Sequence, residues 1–462
     1  AKLTFGNVLL ITIFSATIDY VRRKQMVDRP VKQIMEALDQ VMQGDFTVRI
    51  PPVKEFAGET GFNEIINAIN KMTAEKVKVF ARSVTGADTL SNMPDGMAAI
   101  AISVLSSNAY TNDSVDSYLS GANLVVTSLT VEGVASSIAN AEGKTGSGLS
   151  GITFDYANTN AGIGTGENGR QSAQAGITGG SVTSRKDILI RAFNKGTATA
   201  NIYSGTKVAA LAEVAVKTLP TASYYNTRAY ADGNTRLVSE LGSISITTED
   251  DARAQSIVSG ANCSAGGIIN LDHTKGENTM NLVNTIDIQG TMDAYAHFTA
   301  HTISNANMTA RSNKEGAGFI AANCISAVNT LVRTATINIL DGSVILANFG
   351  NLDILAEAGR DDLITTNASV DSKGGIAVAK VDVDVTVNSS AAVNIYAAEI
   401  RNRFGTVNIK ADSSEGRVNS IANTDASGMG TAPRSDVSNN ITLDATVNVQ
   451  YMEGAIPGTA AK

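Results

Sequence analysis

The sequence predicts a mainly β protein: a right-handed parallel β-helix or β-solenoid of repeats about 55 residues long, preceded by an N-terminal transmembrane helix and a small helical hairpin. Three observations carry this. Segments starting near Gly96, Gly151, Lys207, Gly266, Gly316, Gly374 and Gly428 resemble one another, so the chain repeats itself. Within a copy the period is two. Val381, Val383, Val385 and Val387 alternate with Asp382, Asp384, Thr386 and Asn388, and Ile337 and Ile339 flank Asn338 in the same way. Finally, the 462 residues include 41 Gly, only 7 Pro, no Trp and 5% aromatics, with 17% charged. That composition suits a thin, extended core of small aliphatic side chains better than a large spherical one.

The chain opens with AKLTFGNVLLITIFSATIDY, apolar and uncharged from Leu3 to Ile18. This is a little short of the roughly 20 residues that span a bilayer. Arg22, Arg23 and Lys24 follow and would place residue 22 onward in the cytoplasm. Residues 1–21 therefore read as a transmembrane helix with the lipid bilayer as partner. A signal peptide competes with this reading, with Lys2 as its basic start and Ser15, Ala16 and Thr17 as small cleavage-site residues, and so does a buried core helix.

Residues 22–75 come next. After Pro30, which suits a first helical turn, Val31, Ile34, Leu38 and Val41 fall at a 3-4-3 spacing that lines one helical seam. Gly44 ends that helix, and Phe46, Val48 and Ile50 alternate in an extended connector before Pro51 and Pro52. Phe62, Ile65, Ile69 and Met72 repeat the spacing in a second helix. Two such helices gain little alone, but side by side in a parallel homodimer they make a four-helix bundle.

This pattern resembles the HAMP linker of bacterial membrane sensor histidine kinases and chemoreceptors. The likeness rests on Pro30, on Gly44, Asp45 and Phe46, on Arg49 and Ile50 of the connector, on Glu64, and on the closing Asn70 and Met72. Asn63 stands where the family usually has Asp. The resemblance implies a dimerising signal-relay module. In a kinase an ATP domain and a phospho-acceptor histidine box would follow. Here His273, His297 and His301 are the only histidines and none is followed by Glu, so the sequence predicts no phosphotransfer and no enzyme.

Residues 76–95 read as a junction and 96–462 as the solenoid. Each alternating run ends in Gly, Asn, Asp or Ser, residues that accept turn dihedrals, and scarce proline suits stacked strands that need every N–H. The turn spacing predicts roughly two or three coils per repeat. The repeats resemble those of large filamentous haemagglutinin or leukotoxin-like bacterial adhesins. That resemblance implies a surface stalk or adhesive filament, with a host or surface glycan or protein as partner. Polysaccharide lyases share the same texture.

The remaining chemistry is sparse. The net charge is −8, with about +2 on residues 1–80 and about −10 on the rest, which argues against nucleic acid. Cys263 and Cys324 are too few for a disulfide framework. Gly164, Gly166 and Gly169 satisfy Gly-x-Gly-x-x-Gly without the strand and helix a dinucleotide site needs. Gly143, Lys144 and Thr145 read as a flexible protruding loop, not a phosphate loop. His297 and His301 read as solvated residues on one strand face and not as metal ligands, and Asp382 and Asp384 as the polar face of a regular strand. No cofactor or metal is expected.

The function expected from sequence is a non-catalytic membrane-anchored protein, a HAMP-like linker feeding an adhesin-like solenoid. The alternatives are a fragment of a secreted filamentous adhesin and a polysaccharide-active β-helix enzyme.

Overall fold

A computed structural model describes residues 29–42 and 76–450, apart from 167, 261, 262 and 415. Helix α1, Arg29–Met42, lies where Pro30 and Gly44 punctuate the sequence, with Ile34 and Ala37 buried. Val31, placed on the same seam by its spacing, is exposed. The expected transmembrane helix (1–21) and the rest of the hairpin, with Gly44, Asp45, Phe46, Glu64, Asn70 and Met72, lie outside the described residues. Among the described residues no helix is long and apolar enough to cross a membrane.

The rest is a stack of parallel coils. The first coil is β1 (Lys76–Asn92), β2 (Gly96–Thr111) and β3 (Ser114–Val126). The second is β4 (Ser128–Thr145), β5 (Gly148–Ile163) and β6 (Gln171–Ser184), and the third β7 (Ile188–Ser204) and β8 (Lys207–Ser239). The fourth holds β9 (Ile244–Gly260), β10 (Cys263–Gly266) and β11 (Ile269–Ala294). The fifth holds β12 (Phe298–Ala317), β13 (Ile320–Ile339) and β14 (Val344–Ala347). The sixth comprises β15 (Leu352–Ala358), β16 (Leu363–Tyr396) and β17 (Glu399–Asn402), and the last β18 (Val407–Ser413) and β19 (Arg417–Gln450). Among the described residues the stack begins at Lys76, inside the segment the sequence assigns to a junction.

Each coil is a flattened loop. An outgoing limb reaches a U-turn, a return limb runs back against it, and a narrow third side closes the circuit. The two limbs are the walls of the core: Ala310, Ala368 and Val370 of the outgoing limb pack on Ile325, Ala379 and Val381 of the return limb. Ser372 Oγ donates to Val378 O at 2.9 Å across the U-turn. All seven repeat starts found in the sequence lie at this U-turn, where Gly96 pairs with Gly148, Gly148 with Lys207 and Gly374 with Gly428.

The coils are held in register by aliphatic columns. One column runs Val77, Leu129, Ile188, Ile244, Phe298, Leu352, Val407, and those numbers are 52 to 59 residues apart. A repeat is therefore one coil, not the two or three expected. The physical reason lies in the Asn and Ser whose type suits turns, and in the Thr that accompany them. Many point inward and bond across coils: Thr221 Oγ1 donates to Asn278 Oδ1 at 2.6 Å, Asn278 Nδ2 to Asn329 Oδ1 at 2.7 Å, and Asn329 Nδ2 to Thr366 Oγ1 at 2.6 Å. With their hydrogen bonds satisfied inside, these residues let a limb of about 20 residues run through without turning. The five inner members of the column are buried to 1% exposure or less, each contributing roughly 1.5–3 kcal/mol of transfer free energy.

Candidate binding groove at the narrow side

The residues singled out in the sequence do not converge. Gly164, Gly166 and Gly169 form a tight loop between β5 and β6 whose amides turn inward, Thr165 N donating to Gly169 O at 2.7 Å and Gly169 N to Gly166 O at 3.2 Å. The Gly143–Thr145 segment is no protruding loop. It ends strand β4, with Gly143 buried because it continues the inward parity of Ala139 and Ala141, and a Cβ there would meet Leu105 and Thr159. His297 sits in the turn before β12, where Nδ1 accepts from Asn351 N at 2.9 Å, while His301 lies on β12 beside Glu357 at 3.1 Å. Asp382 on the outer face pairs with Lys380 at 2.5 Å, and Asp384 is exposed nearby. No group of three metal-ligating side chains occurs among the described residues.

Sequence reasoning missed the charges inside the stack. Near the U-turn of coils two to five, Asp155 pairs with Lys207, and Asp272 receives Lys314 at 2.8 Å and Lys217 at 3.7 Å. Lys217 Nζ also donates to Ser204 Oγ at 3.1 Å. Burial pushes the Glu213 carboxyl in this cluster up to about 7, partly opposed by the Lys314 charge. Burial likewise lowers the Lys217 ammonium, which Asp272 only partly offsets. Deeper in, Arg333 is fully buried against Asp362 and donates from Nε to Ser389 Oγ at 2.8 Å. Apart from Lys207, which reaches a small pocket of about 170 Å³ beside Glu315, Asp371 and Lys373, these groups are buried and paired across coils, so they hold the stack together. The signal for them was parity: Glu213 and Lys217 share the inward phase of Ala215 and Leu219.

A larger open concavity than the pocket beside Lys207 lies at the corner where the return limb bends into the narrow side. Gln289, Leu340, Asp341, Tyr396, Ala397 and Gln450, from coils four to seven, line a groove of about 570 Å³, within the size range of small-ligand sites. This corner repeatedly uses a positive-φ residue: Gly121 (φ 60°), Gly179 (65°), Gly290 (127°) and Gly342 (76°) supply it in the first, second, fourth and fifth coils. In the sixth coil the position is Ala397, at φ 42°, the only non-glycine residue with positive φ among those described. Its amide donates to Gln450 O at 3.3 Å. Gln289 Nε2 bridges to Asp341 O at 3.4 Å, and Ser343 Oγ braces the corner by donating to Ile288 O at 3.0 Å.

Across the narrow side, at its other corner, exposed Phe349 stacks on Phe404 with centroids 5.4 Å apart, and Tyr295 lies tilted against Phe349 at 4.8 Å. Asn348 Nδ2 donates to Asp293 Oδ1 at 3.0 Å on the face between the two corners. The narrow side thus offers a tyrosine ring, two side-chain amides and one carboxylate along a groove, with an aromatic ridge beside it. None of this was visible in the sequence except the glycine column, which could have marked the corner. No family model matches the chain, and no curated protein or solved structure matches it.

Proposed function

We propose that the chain is a non-catalytic, membrane-tethered binding protein whose solenoid offers its narrow side to an extended polar polymer, an oligosaccharide by its chemistry. In this reading the N-terminal apolar segment is the tether, and the HAMP-like residues around Pro30, Gly44, Asp45, Phe46, Glu64, Asn70 and Met72 pair two copies. The observation that carries it is the strained Ala397 in the wall of the groove. Backbone strain at a non-glycine residue clusters where structure serves a ligand. Tyr396 gives a ring for a sugar face, while Gln289, Gln450 and Asp341 give donors and acceptors for hydroxyls. Binding without turnover is favoured because the groove lining carries one carboxylate, Asp341, whereas the usual glycoside hydrolysis uses a pair.

The test is a glycan array probed with the purified full chain and with Tyr396→Ala. Binding to a defined set of oligosaccharides, weakened in the variant, is the expected result. Absence of binding, equal binding by both proteins, or release of new reducing ends from a bound glycan would overturn the proposal.

A further inference from the structure

The outer face of the return limb beside the U-turn carries three columns of unusual composition. One runs from Ile100 to Ile320, the next from Ile102 to Ala322 and the third from Val104 to Cys324, each crossing five coils through paired positions. None of these fifteen positions holds Asp, Glu, Lys or Arg. Yet the face is wet: Ile102 is 74% exposed, Val104 71%, Phe154 46% and Tyr156 45%. Solvated sheet faces elsewhere in the stack alternate charges or amides, as Arg191 does with Glu132 and Glu249. Around the U-turn the apolar character continues through Leu211, Ile268 and Phe319, each about half exposed.

Strand spacing and the two-residue repeat set the size. Five coils by three columns cover roughly 24 by 20 Å, about 480 Å². That is near the upper range for the largest apolar patch on a monomer, where such patches are commonly functional. Two such faces together, with the U-turn ridge, would bury roughly 1,000 Å² or more, the lower limit for a specific protein interface.

We infer that this face is covered by a second copy of the chain, packed sheet on sheet about a two-fold axis. Three features select that occupant. The face is one side of an in-register parallel sheet, so an identical face can pack on it as the two sheets of a sandwich pack on each other. Along one edge its rim is a column of neutral polar residues, Ser106, Asn158, Thr218 and Ser326, broken by Lys275, which Glu277 engages at 2.6 Å, and at the edge toward the sixth coil Lys380 is engaged by Asp382 at 2.5 Å, so these edges bring no bare like charges together. A bilayer is a poorer match, because adsorption to an anionic surface needs basic residues around the apolar face and the chain carries a net charge of −8. The inference rests on the fold and not on the groove, and it concerns a different surface from the HAMP-like helices.

The experiment reads shielding of this face directly. In the full chain with Cys263→Ser and Cys324→Ser, Tyr156→Cys supplies one thiol within the patch, in its second coil, and its alkylation rate is followed from dilute to concentrated protein. The expected result is about a tenfold slowing as nine in ten chains pair, abolished when Ile102→Lys is added. Ile102→Thr, which keeps a β-branched residue, should relieve the slowing in part and guards against misfolding of the lysine variant. A rate that does not change with concentration would overturn the inference whatever the mass of the particle, since pairing through other regions leaves this thiol open. Shielding that appears only on adding phosphatidylcholine vesicles would also overturn it, by naming a bilayer as the occupant.

Discussion

Asp250 offers the sharpest test of how the stack is held together. It points inward from β9 with no exposure, and its carboxyl is pushed up from 3.8 to about 7, first by burial and then by the Glu249 charge, while a hydrogen bond from Thr227 lowers it. A hydrogen bond from Ser304 also lowers it. The same column in the preceding coil holds Asn194, whose Nδ2 donates to Thr227 Oγ1 at 3.0 Å and, less closely, to Gln171 O at 3.3 Å. The neighbouring coil therefore shows a neutral side chain of the same shape already accommodated.

The folded-state value is above the unfolded one, so between pH 3.8 and about 7 the native state holds the extra proton and stability falls as pH rises through that window. A shift of about 3 units corresponds to roughly 4 kcal/mol, all of it lost by pH 8 and none at pH 3. Asp250→Asn keeps the acceptor for Thr227 and removes the charge, so it should gain a few kcal/mol at pH 8 and almost nothing near pH 4. Coils of a solenoid need not unfold together, so the assay is urea denaturation followed by exchange protection of β8 and β9 amides at both pH values. If the wild-type protein lost no protection between pH 5 and 8, or if Asp250→Asn were the weaker protein at pH 8, the account of the buried carboxyl would be wrong.

Two further perturbations probe the same interior. Arg333→Met leaves Asp362 buried without its partner and should cost about 3–5 kcal/mol in the urea midpoint of coils five and six, with most of that recovered when Asp362→Asn is added. Gly359→Ala places a methyl on Ser414 O and the Arg333 guanidinium at a backbone φ of 96°, and thermal unfolding should show a loss of at least about 1 kcal/mol.

How much of this was legible follows from what kind of information each feature carries. The Val381–Val387 alternation and the recurrence of Gly96, Gly316 and Gly374 are local, and they predicted stacked strands and even marked the U-turn. The length of a coil was not local. It depended on whether Asn278, Asn329 and Thr366 turn the chain or bond across the core, and a residue type that suits both outcomes cannot decide between them. The buried charges were legible in principle, because Lys217 and Asp272 keep the inward parity, but prior expectation places lysine and aspartate outside. The groove was illegible for another reason. Gln289, Asp341, Tyr396 and Gln450 are far apart in sequence and meet only because coils four to seven stack in register.

Ala397 ties the groove to that register. A left-handed backbone costs an L-residue roughly 1–2 kcal/mol relative to glycine, while glycine frees the unfolded chain by about 0.4–1 kcal/mol, so Ala397→Gly should stabilise the corner by up to about 1.5 kcal/mol. The first, second, fourth and fifth coils, with a positive-φ glycine at this corner, show that nothing in the bend itself calls for a methyl group. A side chain kept against its own backbone preference is accounted for if the methyl packs on a ligand or holds Tyr396 in place. Ala397→Gly should then raise the melting temperature while weakening oligosaccharide binding, with Tyr396→Ala weakening binding and leaving the melting temperature nearly unchanged. Should Ala397→Gly gain stability and bind as well as before, the strain would be a harmless accident of the corner. The groove would then lose its strongest claim to be a site.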